Sequence, residues 1–165
     1  MPHKTTLQRA RQDKREGKSP TTQAGEFVRE EIKHIREGKH GARSTKQAIA
    51  IGLSKARRAG VDLPPPKAGT VSSKTRRSAA NAYRAGQGAH HVSRTRSRAT
   101  REALQHEGHA AASSKALAKQ AHAAAARKPA SERAAAARKA VRTKGAAGRS
   151  AAAKRAARTR SRRGA

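Results

Sequence analysis

The sequence predicts an all-α protein in which a small antiparallel helical hairpin is followed by a long, largely disordered basic tail with transient helices. Apolar residues recur at helical spacing mainly in residues 1–63. Ile, Leu, Val, Met, Phe and Tyr together number eleven in residues 1–63 but only six in residues 64–165. Because ordering each residue costs roughly 1–2 kcal/mol, six large side chains cannot hold the second part in a packed fold, and we expect disorder there.

The strongest helix signal lies in residues 44–60. Ser44 can cap the first free amides, and Gln47, three residues later, can reach back to complete a capping box. Gly60 stands where a left-handed C-terminal residue belongs. One face of this helix is apolar or small and consists of Ala48, Ile49, Gly52, Leu53, Ala56 and Ala59.

A second amphipathic helix precedes this one. Ser19 and Pro20 form an N-cap followed by a first-turn proline, and Gly38 ends the helix. Its apolar face contains Ala24, Val28, Ile32 and Ile35, with Phe27 at the edge. A short glycine-containing turn joins the two helices, which predicts an antiparallel hairpin that could also pair with a second copy of the chain.

Composition divides the chain into four segments. Residues 1–18 form a basic N-terminal arm with a short helix, and residues 19–63 form the hairpin domain. Residues 64–72 are a linker rich in Pro, Gly and Ser, because three consecutive prolines cannot continue a helix. Residues 73–165 are the disordered basic tail, whose alanine-rich stretches have high helix propensity.

Charge indicates the class of partner. Forty Lys and Arg against ten Asp and Glu give a net charge of +30, of which +8 lies in residues 1–63 and +22 in residues 64–165. Such a polycation requires a polyanion, and nucleic acid is the default. We therefore predict a non-catalytic, mainly sequence-independent DNA-binding protein, nucleoid-associated and histone-like, that neutralises the phosphate backbone of duplex DNA and compacts it.

The predicted nucleic-acid-binding residues are cations that act collectively, since each neutralised phosphate releases counterions. In the hairpin region they are Arg43, Lys46, Lys55, Arg57 and Arg58. In the tail they are Lys139, Arg142, Lys144, Arg149, Lys154, Arg155, Arg158, Arg160, Arg162 and Arg163.

The sequence contains few features of a catalytic or metal-binding site. We therefore predict that the protein is not an enzyme, and we assign no metal site and no cofactor. The chain has no cysteine, and no phosphate-cradling or nucleophile motif occurs. The histidine pairs His90–His91 and His106–His109 are interpreted as solvated side chains. The acidic residues Glu26, Glu30, Glu31 and Glu37 are interpreted as surface ion-pair partners of Arg29, Lys33 and Arg36.

The motif KQAIAIGLSKARRAG, residues 46–60, resembles a family of small basic bacterial proteins of uncharacterised function, and the likeness extends over residues 24–63. This resemblance implies a bacterial origin and the helical hairpin, and it implies no activity. Residues 131–165 resemble, in composition, the Ala/Lys/Arg tails of linker histones and bacterial histone-like proteins.

Two other functions stay open at this point. An RNA- or ribosome-associated protein would use the same electrostatics, and a protein-interaction module with an antitoxin-like hairpin would make the tail incidental. No apolar stretch approaches membrane-spanning length and no hydrophobic signal core is present. We therefore expect no membrane partner and a cytoplasmic, nucleoid location.

Overall fold

The computed structural model describes residues 2–88 and 93–163, and within them it is all-α, as predicted. Seven α-helices and one 3-10 helix occur in these ranges, and no strand does. The helices are α1 (Lys4–Arg15), α2 (Pro20–Arg36), α3 (Thr45–Arg58), α4 (Ser73–Gln87), α5 (Arg94–Gln105), a 3-10 helix (Ala110–Ala112), α6 (Ser114–Ala126) and α7 (Ala130–Arg163). Among these described helices, none combines the length and apolarity needed to cross a bilayer.

The chain divides into two units, Met1–Gln120 and Ala121–Ala165. In the first unit α2 packs against both α1 and α3, and α4 packs against α3. The 3-10 helix contacts α2 and α3. In the second unit α7 contains one break, at Gly145, where the backbone angles (φ +64°, ψ 175°) are not helical.

The predicted ends of α3 are confirmed. The Ser44 hydroxyl accepts a hydrogen bond from the Gln47 amide at 3.2 Å. The Gln47 side chain accepts from the backbone N–H of Arg43 rather than of Ser44, at 2.9 Å, so the box is shifted by one residue from the usual arrangement. Gly60 follows the helix with φ +84°, the left-handed conformation that glycine adopts most easily.

The close approach of α2 and α3 depends on Gly52. A Cβ at this position would lie 2.7 Å from Val28 Cα and 3.0 Å from Val28 N, both backbone atoms that cannot rotate away. Ala48 and Ala56, one turn on either side of Gly52, are fully buried. Small residues on α3 therefore let the two helices approach closely.

We expect Gly52→Ala to destabilise the first unit by about 1–3 kcal/mol, the usual cost of overpacking. The added methyl must push the α2 backbone away from α3, and this outweighs the gain in helix propensity. The measurement is the urea midpoint followed by fluorescence of Tyr83. Gly25→Ala is the control, because a Cβ at Gly25 meets nothing within 4 Å; equal midpoints for the two variants would contradict the close approach.

Two apolar clusters form the core of the first unit. The first joins α1, α2, α3 and the segment after α3, and it contains Ala10, Ala24, Phe27, Ala56, Val61 and Leu63. Val61 and Leu63 are buried, so the chain folds back before the proline run. The second cluster contains Ile32, Ile35, Ala42, Ala48, Ala111 and Ala112, so it includes residues beyond the hairpin.

The prediction that a small antiparallel hairpin is the folded part of the chain is not supported, because α2 and α3 are the centre of a larger helical unit. α1 and α4 cover them, and residues 104–112 are held against the α2–α3 turn. The Gly41 amide donates to Leu104 O at 2.8 Å, and the Ala42 amide donates to Gly108 O at 3.0 Å. Arg36 Nε donates to Ala112 O, also at 2.8 Å.

The prediction of a largely disordered tail is also wrong, since residues 73–163 are helical over most of their described length. Large apolar side chains are few here, but within the described part of residues 73–163 the buried side chains are all alanines. Ala79, Ala82, Ala111 and Ala112 are buried. Small side chains let backbones approach closely enough for the hydrogen bonds to residues 41 and 42, and alanine also has the highest intrinsic helix propensity.

Tyr83 ties α4 to the segment that follows α3. Its hydroxyl donates to Asp62 Oδ1 at 2.6 Å. This hydrogen bond raises the pKa of Tyr83 above the ordinary value of 10.0. Because the pKa in the folded state is the higher one, the stabilisation is fully present below pH 10 and is lost as the pH rises through the raised pKa.

We therefore expect the tyrosinate absorbance of the folded protein to develop at higher pH than in the urea-unfolded chain. The titration is unambiguous because the chain has one Tyr and no Trp. In Asp62→Asn the carboxylate is absent and the midpoint should move back toward the ordinary value. A midpoint that is the same in the parent protein and in Asp62→Asn would contradict the hydrogen bond.

Candidate nucleic-acid interface

The predicted tail cations lie on α7, where their side chains are exposed. This holds for Lys139, Arg142, Lys144, Arg149, Lys154, Arg155, Arg158, Arg160 and Arg162. Arg163 ends the helix, and its side chain lies outside the described part of the structure. No carboxylate follows Glu132 in the sequence, so no acidic side chain of this segment competes with phosphate for these cations.

The cations of α7 occur in a repeat that the sequence analysis missed. Residues 133–144 carry cations at positions 133, 138, 139, 142 and 144, and residues 149–160 carry cations at the same five offsets, sixteen residues later. We call residues 133–144 and 149–160 the first and second basic modules. Outside the cations, Ala135, Ala136, Ala137, Ala140 and Thr143 also recur unchanged. Comparing the sequence with itself at an offset of sixteen would have found the repeat.

The two modules also share a local hydrogen bond. Thr143 Oγ1 donates to Lys139 O at 2.9 Å, and Thr159 Oγ1 donates to Arg155 O at 3.0 Å. Gly145, with its left-handed φ, interrupts the helix between the modules. Each module is therefore a separate helical rod with the same arrangement of charge.

The density of charge in a module suits a phosphate backbone. At a rise of about 1.5 Å per residue a module is about 17 Å long, and one strand of B-DNA carries a phosphate every 3.4 Å or so, hence about five in that length. At 100° per residue, the second, third and fourth cations of each module share one side of the helix, and the first and fifth lie on the other side. Cations on both sides favour wrapping against backbone phosphates over reading bases from one face.

The cations predicted in the hairpin region differ in their surroundings. Arg43 and Lys46 at the start of α3, and Arg58 at its end, are exposed. Lys55 instead pairs with the Glu31 carboxylate, and Arg57 is 6% exposed. Arg57 Nε donates to Leu63 O at 3.0 Å, and Nη2 donates to Pro64 O at 3.3 Å.

Burial lowers the pKa of Arg57 from its ordinary value, without bringing a residue that is always protonated in proteins near neutral pH. The role that the structure gives this guanidinium is to hold the chain after α3 against the bundle. Lys55 and Arg57 are thus engaged within the protein, in contrast to the exposed cations Arg43, Lys46 and Arg58.

The interpretation of the α2 carboxylates as surface ion pairs is correct for only two of them. Glu26 pairs with Arg9 and Arg29, and Glu37 pairs with Lys33 and Lys39. Glu30 and Glu31 are buried, at 7% and 0% exposure, and their partners are His34, His40 and Lys55. The charge pattern of α2 alone did not reveal that Glu30 and Glu31 are buried. One of their histidine partners lies on α2 itself, and the other lies in the turn that follows it.

The resemblance of the α3 motif to other proteins is also found when the chain is compared with family models. Residues 11–67 match the model of a family of unknown function, DUF6496. The DUF6496 match includes the end of α1, all of α2 and α3, and the chain as far as the proline run. No curated protein and no solved structure matches the chain.

The DUF6496 match agrees with the predicted likeness to an uncharacterised family. It ends before α4 and leaves both basic modules outside. The part that resembles other proteins and the part with the densest positive charge are therefore different parts of the chain.

Proposed function

We propose that the protein binds duplex DNA without catalysis and largely without sequence preference, through the two basic modules of α7. The observation that carries this proposal is the repeat of five exposed cations at identical helical offsets, with no carboxylate after Glu132. Backbone contacts of this kind release counterions and supply non-specific affinity.

We expect no base readout, because of how the cations are arranged. Base-specific contacts need side chains fixed on a rigid platform whose one face enters a groove. Each basic module instead presents cations on both sides of its helix. In α3, Lys55 and Arg57 are engaged within the protein, which leaves Arg43, Lys46 and Arg58 as supporting phosphate contacts.

A chain with two separate basic modules can contact two stretches of backbone, either on one duplex or on two. Contact with two duplexes would compact DNA, as a nucleoid-associated protein does. With the bacterial origin that the family resemblance implies, the protein would work on the nucleoid in the cytoplasm. Self-association through α2 and α3 would multiply the modules, and we retain the homodimer as part of the proposal.

The test is binding of the full chain to a labelled 30-base-pair duplex over a series of salt concentrations, with two duplexes of unrelated sequence. If each of the ten cations of the two basic modules neutralises one phosphate, the slope of log K against log salt is about −9. The two duplexes should give slopes and affinities that agree within experimental error. A shallow slope, or a strong preference for one duplex at high salt, would argue against the proposal.

Ribosomal RNA is the competitor that separates DNA binding from the nearest alternative. At matched salt and nucleotide concentration, duplex DNA should displace the labelled duplex at least as well as RNA does. If RNA displaces it at a much lower concentration, the protein is an RNA-binding one. A protein complex isolated from cells that persists at salt high enough to strip nucleic acid would instead favour the interaction-module alternative.

A further inference from the structure

Five side chains with metal-binding atoms meet around one part of α2. Glu30, Glu31 and His34 belong to the helix, His3 precedes α1, and His40 lies in the turn before α3. Two groups of three can each bring one ligand atom per residue within 4.8 Å of the others, and His34 belongs to both groups. These histidines differ from the tail histidines interpreted above as solvated, of which His90 and His91 lie outside the described residues.

The spacing of the group formed by His3, Glu30 and His34 resembles a coordination shell. His34 Nε2 lies 3.1 Å from His3 Nε2 and 3.7 Å from Glu30 Oε1. A tetrahedral ion with bonds of about 2.0–2.1 Å holds its ligand atoms about 3.3 Å apart. The observed separations bracket this value without any movement of the helix.

The fold holds these three residues in place. Glu30 and His34 are four residues apart on α2, so they share a face. The backbone N–H of His3 donates to both oxygens of the Glu30 carboxylate, at 3.2 and 3.3 Å, and so brings His3 over α2. The rings of His3 and His34 meet edge to face, with centroids 5.2 Å apart.

Burial of the carboxylate also favours a bound cation. Glu30 is only 7% exposed, and a buried carboxylate beside two imidazole rings gains from a cation.

Glu31 belongs to the other group of three, with His34 and His40. Its Oε1 is buried and accepts no hydrogen bond. His40 Nε2 lies 2.9 Å away, but His40 Nδ1 is 3.0 Å from Gly41 O. Because a carbonyl only accepts, Nδ1 must carry the proton, and a neutral His40 would then turn a lone pair toward the carboxylate oxygen.

An open cleft gives access to the first group. It has a volume of about 270 Å³, and His3, Glu30 and His34 line it together with residues of α1 and α2 and with Glu37 and Lys39, which follow α2. An ion bound there could keep a position for water or for an external ligand, which is typical of sites with three protein ligands.

We propose that His3 Nε2, Glu30 Oε1 and His34 Nε2 bind one divalent transition-metal ion of the zinc type, with its remaining position open to the cleft. Two imidazoles and a carboxylate favour such ions over Mg²⁺ or Ca²⁺, which prefer oxygen ligands. The site would join α1 to α2, so occupancy would also stabilise the first unit.

The experiment is a titration of the full chain with Co²⁺ followed by its visible absorption, with Zn²⁺ as competitor. We expect one ion per chain, with the intense absorption of a four- or five-coordinate complex. His34→Gln, His3→Gln and Glu30→Gln should each weaken binding by at least about 100-fold, since even changes outside the ligand shell cost 10–100-fold. His122→Gln is the matched control, because His122 is exposed on α6, and it should bind as the parent does.

Several results would overturn the proposal. The full chain could bind no Co²⁺, or His34→Gln and His122→Gln could bind equally, in which case the His3–His34 contact is an ordinary N–H···N hydrogen bond. Loss of binding in His40→Gln but not in His3→Gln would assign the ion to the other group. His3→Gln decides the matter even if His34→Gln unfolds, because His3 is exposed, and circular dichroism of each variant checks its fold.

Discussion

Neutralising one basic module should make the salt dependence of DNA binding less steep by about 4.5 in log–log slope, since five phosphate contacts are lost at about 0.9 each. The change replaces the five cations of the second module with glutamine in the full chain, namely Arg149, Lys154, Arg155, Arg158 and Arg160. Glutamine keeps high helix propensity, so α7 should persist. Affinity at about 0.1 M salt should fall by more than about 100-fold.

The repeat makes a second, sharper prediction. The same replacement in the first module, at Arg133, Arg138, Lys139, Arg142 and Lys144, should change the slope by a similar amount. A module-based interface requires this equivalence, whereas a single hot spot near the C-terminus would make the two variants differ strongly.

Net charge is controlled by a variant that loses five cations elsewhere. Lys4, Arg11, Lys74, Arg76 and Arg77 are exposed cations of the first unit that belong to neither the predicted interface nor the basic modules. Replacing them with glutamine removes the same charge, and we expect a much smaller change in slope. If this variant loses as much affinity as a module variant does, the DNA contacts are not concentrated in α7.

The largest effect on stability is expected from the buried carboxylate of Glu31. This side chain is fully buried and accepts a hydrogen bond from Lys55 Nζ, and His40 Nε2 lies 2.9 Å from its other oxygen. Removing one partner of a buried pair costs about 3–5 kcal/mol, since the other charge stays behind unpaired. We expect about 3 kcal/mol for Glu31→Met, the low end of that range, because the Lys55 side chain is still 27% exposed.

The measurement is urea unfolding followed by fluorescence of Tyr83, the sole tyrosine, in α4 of the first unit. The double variant Glu31→Met with Lys55→Met should recover part of the loss, because an apolar pair leaves no ammonium uncompensated. Glu37→Met is the control on the same helix, since Glu37 makes only exposed ion pairs with Lys33 and Lys39 and should change stability little. Equal midpoints for Glu31→Met and Glu37→Met would contradict a structural role of the buried pair.

The sequence predicted well those features of the first unit that depend on neighbouring residues. The Ser44 cap, the proline start of α2 and the glycines after α2 and α3 depend on backbone conformations that neighbouring residues decide. The apolar face of α2 was also predictable from spacing, and its members Ala24, Ile32 and Ile35 are buried.

The positive charge of the candidate interface was predictable from the sequence, but the arrangement of its cations was less so. Cation number and the lack of acids after Glu132 are sequence facts, and they led to most of the α7 residues. The periodicity of the modules was equally present in the sequence. The sequence did not show which α3 cations remain available to bind phosphate. Arg57 bonds to carbonyls of a segment that folds back, and Lys55 pairs with a carboxylate from another helix.

The sequence by itself determined the all-α class, the ends of the central helices and the concentration of positive charge in α7, since each depends on composition or on residues within one helical turn. Only the tertiary structure decided that alanines beyond the proline run complete the core. It also decided that Glu30, Glu31 and three histidines meet around α2. Close approach and burial depend on contacts between residues as far apart as Arg36 and Ala112, and no local pattern encodes which distant backbone atoms will meet.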